Sequence, residues 1–132
     1  MEQPYPIELV QRGDVIELHL EEYDTVRRIA LAPAAAAQAR NEPRVGTSTG
    51  RFDGTTLVVE TRGADYKFFN ATGIPVDAAA RYDERFTLSA DGSGLEYALT
   101  VTDPATFTAP ITLRKTWEWR PGEQVRPYDC RR

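Results

Sequence analysis

Short segments in which apolar and polar residues alternate recur along almost the whole chain, each bounded by turn-forming residues. Alternation with period two marks a strand with one buried face, because successive side chains point to opposite sides of the backbone. "IELVQR" from Ile7 and "VIELHLEEY" from Val15 flank Gly13-Asp14, and "TVRRIAL" follows from Thr25. "GTSTGRF" from Gly46 and "TTLVVET" from Thr55 flank Asp53-Gly54, a dipeptide suited to a tight hairpin turn. "RYDERFTLS" from Arg81 and "LEYALTVT" from Leu95 flank Asp91-Gly92-Ser93-Gly94. "ITLRKTWEWR" from Ile111 and "QVRPYDC" from Gln124 flank Pro121-Gly122. The pattern predicts eight or nine strands, with helix confined to a turn or two over residues 34–40 and one more over 76–80.

Many short strands separated by turns predict an all-β chain. The expected fold is one domain over residues 1–132, a single antiparallel barrel of lipocalin/calycin-like shape. Residues 1–5 form a tail, 33–44 a mobile loop, and "FFNATGIPVD" from Phe68 an ordered one. A barrel of about eight strands removes sheet edges and has either a filled interior or a small ligand cavity. A two-sheet sandwich is the second architecture. A cone-shaped α+β fold of the nuclear-transport-factor type comes third, since it needs a long N-terminal helix.

The same alternation assigns faces. Ile16, Leu18 and Leu20 share one side of their strand, with Glu17, His19 and Glu21 opposite. Leu95, Tyr97, Leu99 and Val101 form a second apolar row, and Ile111, Leu113, Trp117 and Trp119 a third, broken by Lys115. On the strand from Arg81 the apolar row reads Tyr82, Glu84, Phe86, Leu88, so one carboxylate occupies a core position. In "TTLVVETRG" either face could be buried, which makes Glu60 a second candidate interior acid. A lone buried carboxylate costs several kcal/mol unless it is paired or protonated. Arg28, Arg85, Lys115 and the phenols of Tyr82 and Tyr97 are the candidate partners. Two readings follow for Glu84. Either burial raises its pKa and makes it a general acid or base beside an aromatic pocket, or it forms a buried pair that fixes strand register.

Other motifs carry less. "GTSTG" matches the nucleophile elbow of serine hydrolases at Ser48, but that motif needs a strand-to-helix turn and a later histidine. Here a hairpin follows and His19 precedes, so Gly46 and Gly50 read as sites of close backbone packing. His19 lies on a polar row. It reads as a solvated side chain, or as a proton shuttle beside Glu17 if that face lines a cavity. Asp103-Pro104 reads as a plain connection.

Composition narrows the chemistry further. With one histidine and one cysteine, Cys130, no intrachain disulfide or multi-ligand soft metal site can form. No phosphate-binding glycine loop appears, so no cofactor is expected. Arginine makes up 14 of the 16 cations, scattered in a chain of net charge −4, which argues against a general nucleic-acid binder. No apolar run approaches the ~20 residues of a membrane span. The chain opens with a polar Met1-Glu2-Gln3-Pro4, so the expected compartment is cytoplasmic, or periplasmic or secreted if a leader has been trimmed.

Several long stretches resemble a widespread family of uncharacterised, often exported bacterial proteins. They are "PYPIELVQRGDVIELHLEEYDTVRRIAL", "GTSTGRFDGTTLVVETRG", "RYDERFTLSADGSGLEYALTVTDPATFTAPITLRKTWEWRP" and "YDC". Family-like patterns are G-x-S-x-G-R-[WF]-x-G-x-T-L-V-V-[DE]-T, E-R-[YF] and T-x-D-P. The resemblance marks Tyr23, Arg27, Arg28, Ser48, Arg51, Glu60, Glu84, Arg85, Thr100 and Asp103 as family-like polar positions. It implies an upstream cysteine in relatives that could pair with the one matching Cys130. Phe52, Thr55 and Val76 depart from the usual Trp, Asp and His, so chemistry resting on that histidine would be absent here.

The functional expectation is a cofactor-free barrel enzyme performing acid–base chemistry of the isomerase, cyclase, hydratase or lyase type on a small apolar molecule. Glu84 would transfer the proton, with Glu60 or Arg28 orienting the substrate. Tyr82, Phe86, Tyr97, Trp117, Trp119 and His19 would line the pocket. The rivals are a non-catalytic barrel for a lipid-like or aromatic ligand and an interaction module with a filled interior. Oligomerisation stays open.

Overall fold

A computed structural model describes residues 5–69 and 72–129. It is all-β. Eight strands form one curled sheet, a half-barrel, in the order of the chain: β1 (Ile7–Arg12), β2 (Val15–Leu20), β3 (Thr25–Ala30), β4 (Thr47–Asp53), β5 (Thr56–Arg62), β6 (Arg81–Leu88), β7 (Gly94–Thr102) and β8 (Ile111–Glu118). Six of the seven ladders are antiparallel. The exception corrects the all-antiparallel expectation, because β3 and β4 run parallel over Ile29↔Ser48 and Ala30↔Thr49. A long connection carries the chain back before β4 begins, and parallel pairing requires such a return.

That connection is anchored at several points. Ala35 and Ala39 are buried with Val15 and Ala30. The Asn41 side chain accepts a hydrogen bond from the Arg28 amide at 2.6 Å and donates to the carbonyls of Arg28 and Gly46. The segment from Gln124 expected as a ninth strand is irregular through Asp129, and Cys130 lies outside the described residues. Its Pro127 has no amide hydrogen to give a ladder. Tyr128 instead donates its amide to Asp24 Oδ1 at 2.9 Å and packs its ring on Tyr5 and Tyr23. Among the described residues no ladder joins β8 to β1. The Trp117 indole N–H bridges that seam to the Tyr5 carbonyl at 3.3 Å.

Inward rows fill the curl with Ile16, Leu18, Ile29, Leu57, Val59, Tyr82, Phe86, Tyr97, Leu99 and Val101. Each such side chain contributes roughly 1.5–3 kcal/mol by leaving water. Leu88, expected in the same row as Phe86, is 51% exposed because the strand runs past the end of the core. Asp103, read as part of a plain connection, is buried and ties the loops together, accepting from the amides of Asp77 and Ala105.

Two glycines let the chain pass close to itself, as their spacing suggested. A Cβ on Gly50 would lie 2.8 Å from Ile29 Cγ2. Gly46 has φ +69°, and a Cβ there would lie 2.6 Å from the Arg62 carbonyl oxygen. Gly54 has a similar φ of +60° but faces open space. Gly46→Ala is therefore expected to lose about 1–3 kcal/mol more than Gly54→Ala in urea unfolding, since only the former adds a clash with backbone. Equal losses would show that the close approach at Gly46 carries no weight.

Candidate functional site

Five consecutive strands each send one polar side chain to the same point inside the sheet. Arg27 comes from β3, Ser48 from β4, Thr61 from β5, Glu84 from β6 and Tyr97 from β7. All five are buried, and Arg27 is 0% exposed. The Arg27 guanidinium grips Glu84 with two hydrogen bonds, Nη1 to Oε1 at 3.0 Å and Nη2 to Oε2 at 2.5 Å. Its Nε donates to Ser48 Oγ at 2.9 Å and Nη2 also donates to Thr61 Oγ1 at 2.6 Å. The two hydroxyls lie 2.8 Å apart. The Tyr97 phenol donates to Glu84 Oε1 at 2.6 Å. Planar, forked pairing of this kind is what a guanidinium offers a carboxylate.

The inward orientation expected for Glu84 is found, but its electrostatics run the other way. Burial alone pushes the Glu84 carboxyl upward. The Arg27 charge, the Arg27 hydrogen bonds and the Tyr97 phenol together outweigh burial and hold it below the usual carboxylate range. Burial likewise disfavours the charged Arg27, and Glu84 more than offsets it, keeping the guanidinium protonated. A general acid needs a raised pKa near the working pH. This carboxylate is ionised, and both oxygens are occupied.

Next to Glu84 and Tyr97, a cleft lined by Ile7, Leu18, Leu20, Phe86 and Trp117 has a volume of about 10 Å³. That is room for about one water. Phe86, Tyr97 and Trp117 pack in series, with ring centroids 4.9 and 5.3 Å apart. Tyr82 is buried elsewhere in the core, its ring 6.3 Å from that of Tyr66.

Other expected site residues lie on the outer face of the sheet or past its end. Glu60 is on the outer face and accepts from Arg62 Nε at 2.8 Å, because Leu57, Val59 and Thr61 take the inner row of β5. Arg28 is also outward, 3.4 Å from Glu17, because alternation gives the inward position to its neighbour Arg27. His19 stands on the outer face of β2, 3.4 Å from Glu17 and 4.0 Å from Glu8. Trp119 lies beyond β8 and is 70% exposed. The sequence-derived site lacks Arg27, Ser48 and Thr61, although Arg27 alternates with Ile29 and Thr61 with Val59. Among the described residues no three His, Cys, Asp or Glu side chains gather to hold a metal.

Removing one partner of the buried pair should be far worse than removing both. Arg27→Met or Glu84→Gln alone is expected to cost about 3–5 kcal/mol in urea unfolding. Arg27→Met with Glu84→Gln should cost clearly less than the sum, and additive losses would mean the two are not coupled. The depressed carboxyl adds stability above an unfolded pKa of about 4.3. That stability falls away as pH drops through the folded value, and the acid limb should flatten in Glu84→Gln.

The Tyr82 hydroxyl is buried without a hydrogen-bond partner among the described residues. Burial pushes its pKa up to about 12, with Tyr66 and Asp103 adding to the rise. The protein should therefore lose stability as pH rises from about 10, where an unfolded tyrosine ionises, toward the folded value. Tyr82→Phe should remove that slope and be neutral or stabilising at pH 7, and a large loss at pH 7 would show that the phenol is satisfied.

Comparison with protein-family profiles, curated proteins and solved structures finds no match to this chain.

Proposed function

We propose that the protein is a non-catalytic binding module built on a filled half-barrel, with the interior acid serving as a staple. The carrying observation is the state of Glu84. Both oxygens are engaged by Arg27 and Tyr97, beside a space for about one water. Small-molecule pockets measure roughly 300–1,000 Å³. Acid–base chemistry on an enclosed substrate would require breaking the ion pair and emptying the core around it. A lipocalin-like chamber is accordingly not part of this reading. Kinship with the bacterial family whose motifs the chain resembles is part of it. Arg27, Ser48 and Glu84 are all family-like positions, and the network gives them a common structural task.

A second reading rests on the cleft walls. Ile7, Leu20, Phe86 and Trp117 would receive the apolar end of a ligand entering through the seam between β8 and β1.

Titration with 1-anilinonaphthalene-8-sulfonate at neutral pH separates the two. The filled module should give no saturable fluorescence rise. Saturable binding that Leu20→Trp abolishes would overturn the filled interior in favour of a ligand in the cleft.

A further inference from the structure

The outer face of β4 to β8 is striped by charge. In register, Thr49, Glu60, Asp83, Thr100 and Thr112 form one rung running across the strands. Arg51, Val58, Arg85, Ala98 and Arg114 form the next. Every second strand of this rung carries an arginine, and the two residues between them are small or aliphatic. Asp53 and Glu96 stand in the rung beyond.

The acids on one side do not neutralise this row. Glu60 and Asp83 turn away from it to Arg62 and Arg81, at 2.8 and 2.7 Å. Arg85 has one loose contact, 3.7 Å to Asp53, with both side chains more than half exposed. Arg51 and Arg114 make no side-chain hydrogen bond or ion pair among the described residues. Three exposed guanidinium groups thus stand in line over a low floor of Val58 and Ala98, on a chain whose net charge is −4.

We infer that this row is a docking surface for an extended acidic protein segment with a carboxylate at every third residue. Strands about 4.8 Å apart place arginines on alternate strands about 10 Å apart. A polyproline II helix repeats every three residues at about 3.1 Å each, which sets same-face side chains about 9 Å apart. Long arginine stems absorb the small difference. A β-strand ligand fits worse, because its same-face residues repeat at about 7 Å. Val58 and Ala98 leave room for the residues between the acids, and the forked guanidinium suits carboxylates. This inference rests on reading the protein as a binding module and specifies that module's partner.

The test is fluorescence anisotropy at low salt with a fluorescein-labelled peptide of Glu-Pro-Pro repeats. Saturable binding that weakens with added salt is expected. Arg51→Ser with Arg114→Ser should weaken it about tenfold, with an unchanged thermal midpoint because both side chains are exposed. Arg120→Ser, away from the row, should change nothing. A peptide of the same composition with contiguous glutamates should bind more weakly. No saturable binding, wild-type affinity in the double variant, or tighter binding of a single-stranded oligonucleotide would each overturn the inference. The dye titration judges the filled module independently, so a failed row and a failed module give different results.

Discussion

A guanidinium with no access to water must be satisfied by protein, and the inner architecture is arranged around that requirement. Arg27 enters the core from β3, and each of the next four strands contributes one group to it or to its carboxylate. The arrangement is demanding because a buried charge left unpaired costs several kcal/mol. Register errors are penalised accordingly. A one-residue slip of any of these strands would turn its polar group outward and leave the rest unsatisfied. The pair thus ties the strands to one register, which is the best-attested use of buried polar groups.

The same network determines what chemistry the interior can support. Arg27 and Tyr97 stabilise the ionised carboxylate, and Phe86, Trp117 and the β1–β2 aliphatics line the small cleft beside it. Both carboxylate oxygens are already engaged by donors within the core. The arginine row on the outer face is the contrasting case. Inside, Arg27 and Glu84 hold each other in a fixed pair. On the outer face of β4 to β8, Glu60 and Asp83 pair with Arg62 and Arg81, while Arg51 and Arg114 have no ion-pair partner among the described residues.

Much of the fold was legible in period-two alternation, because strands with one buried face must alternate. β1 and the hairpin turns at Gly13 and Gly54 fall where the pattern placed them. Glu84 was legible as an inward acid for the same reason. The Tyr97 phenol was legible as one of its partners, but the arginine was not. In "TVRRIA" either arginine could face in, and choosing Arg27 requires giving Ile29 the inner face, a choice that only the β2–β3 register fixes. Glu60 failed in the mirror-image way, since both faces of β5 carry valine or leucine and only pairing with β6 decides. The parallel β3–β4 contact depends on how a long connection returns, which alternation does not encode. Trp119 shares Trp117's parity, but the strand ends at Glu118 and the row ends with it.

If Glu84 is an ionised staple, its carboxyl carbon reports this directly. A ¹³C NMR titration of the side-chain carboxyl, assigned by comparison with Glu84→Gln, should place its pKa below the ordinary value of about 4.3, with the resonance unmoved across neutral pH. A midpoint above that value, approaching neutrality, would mean the proton is available for chemistry and would contradict the account.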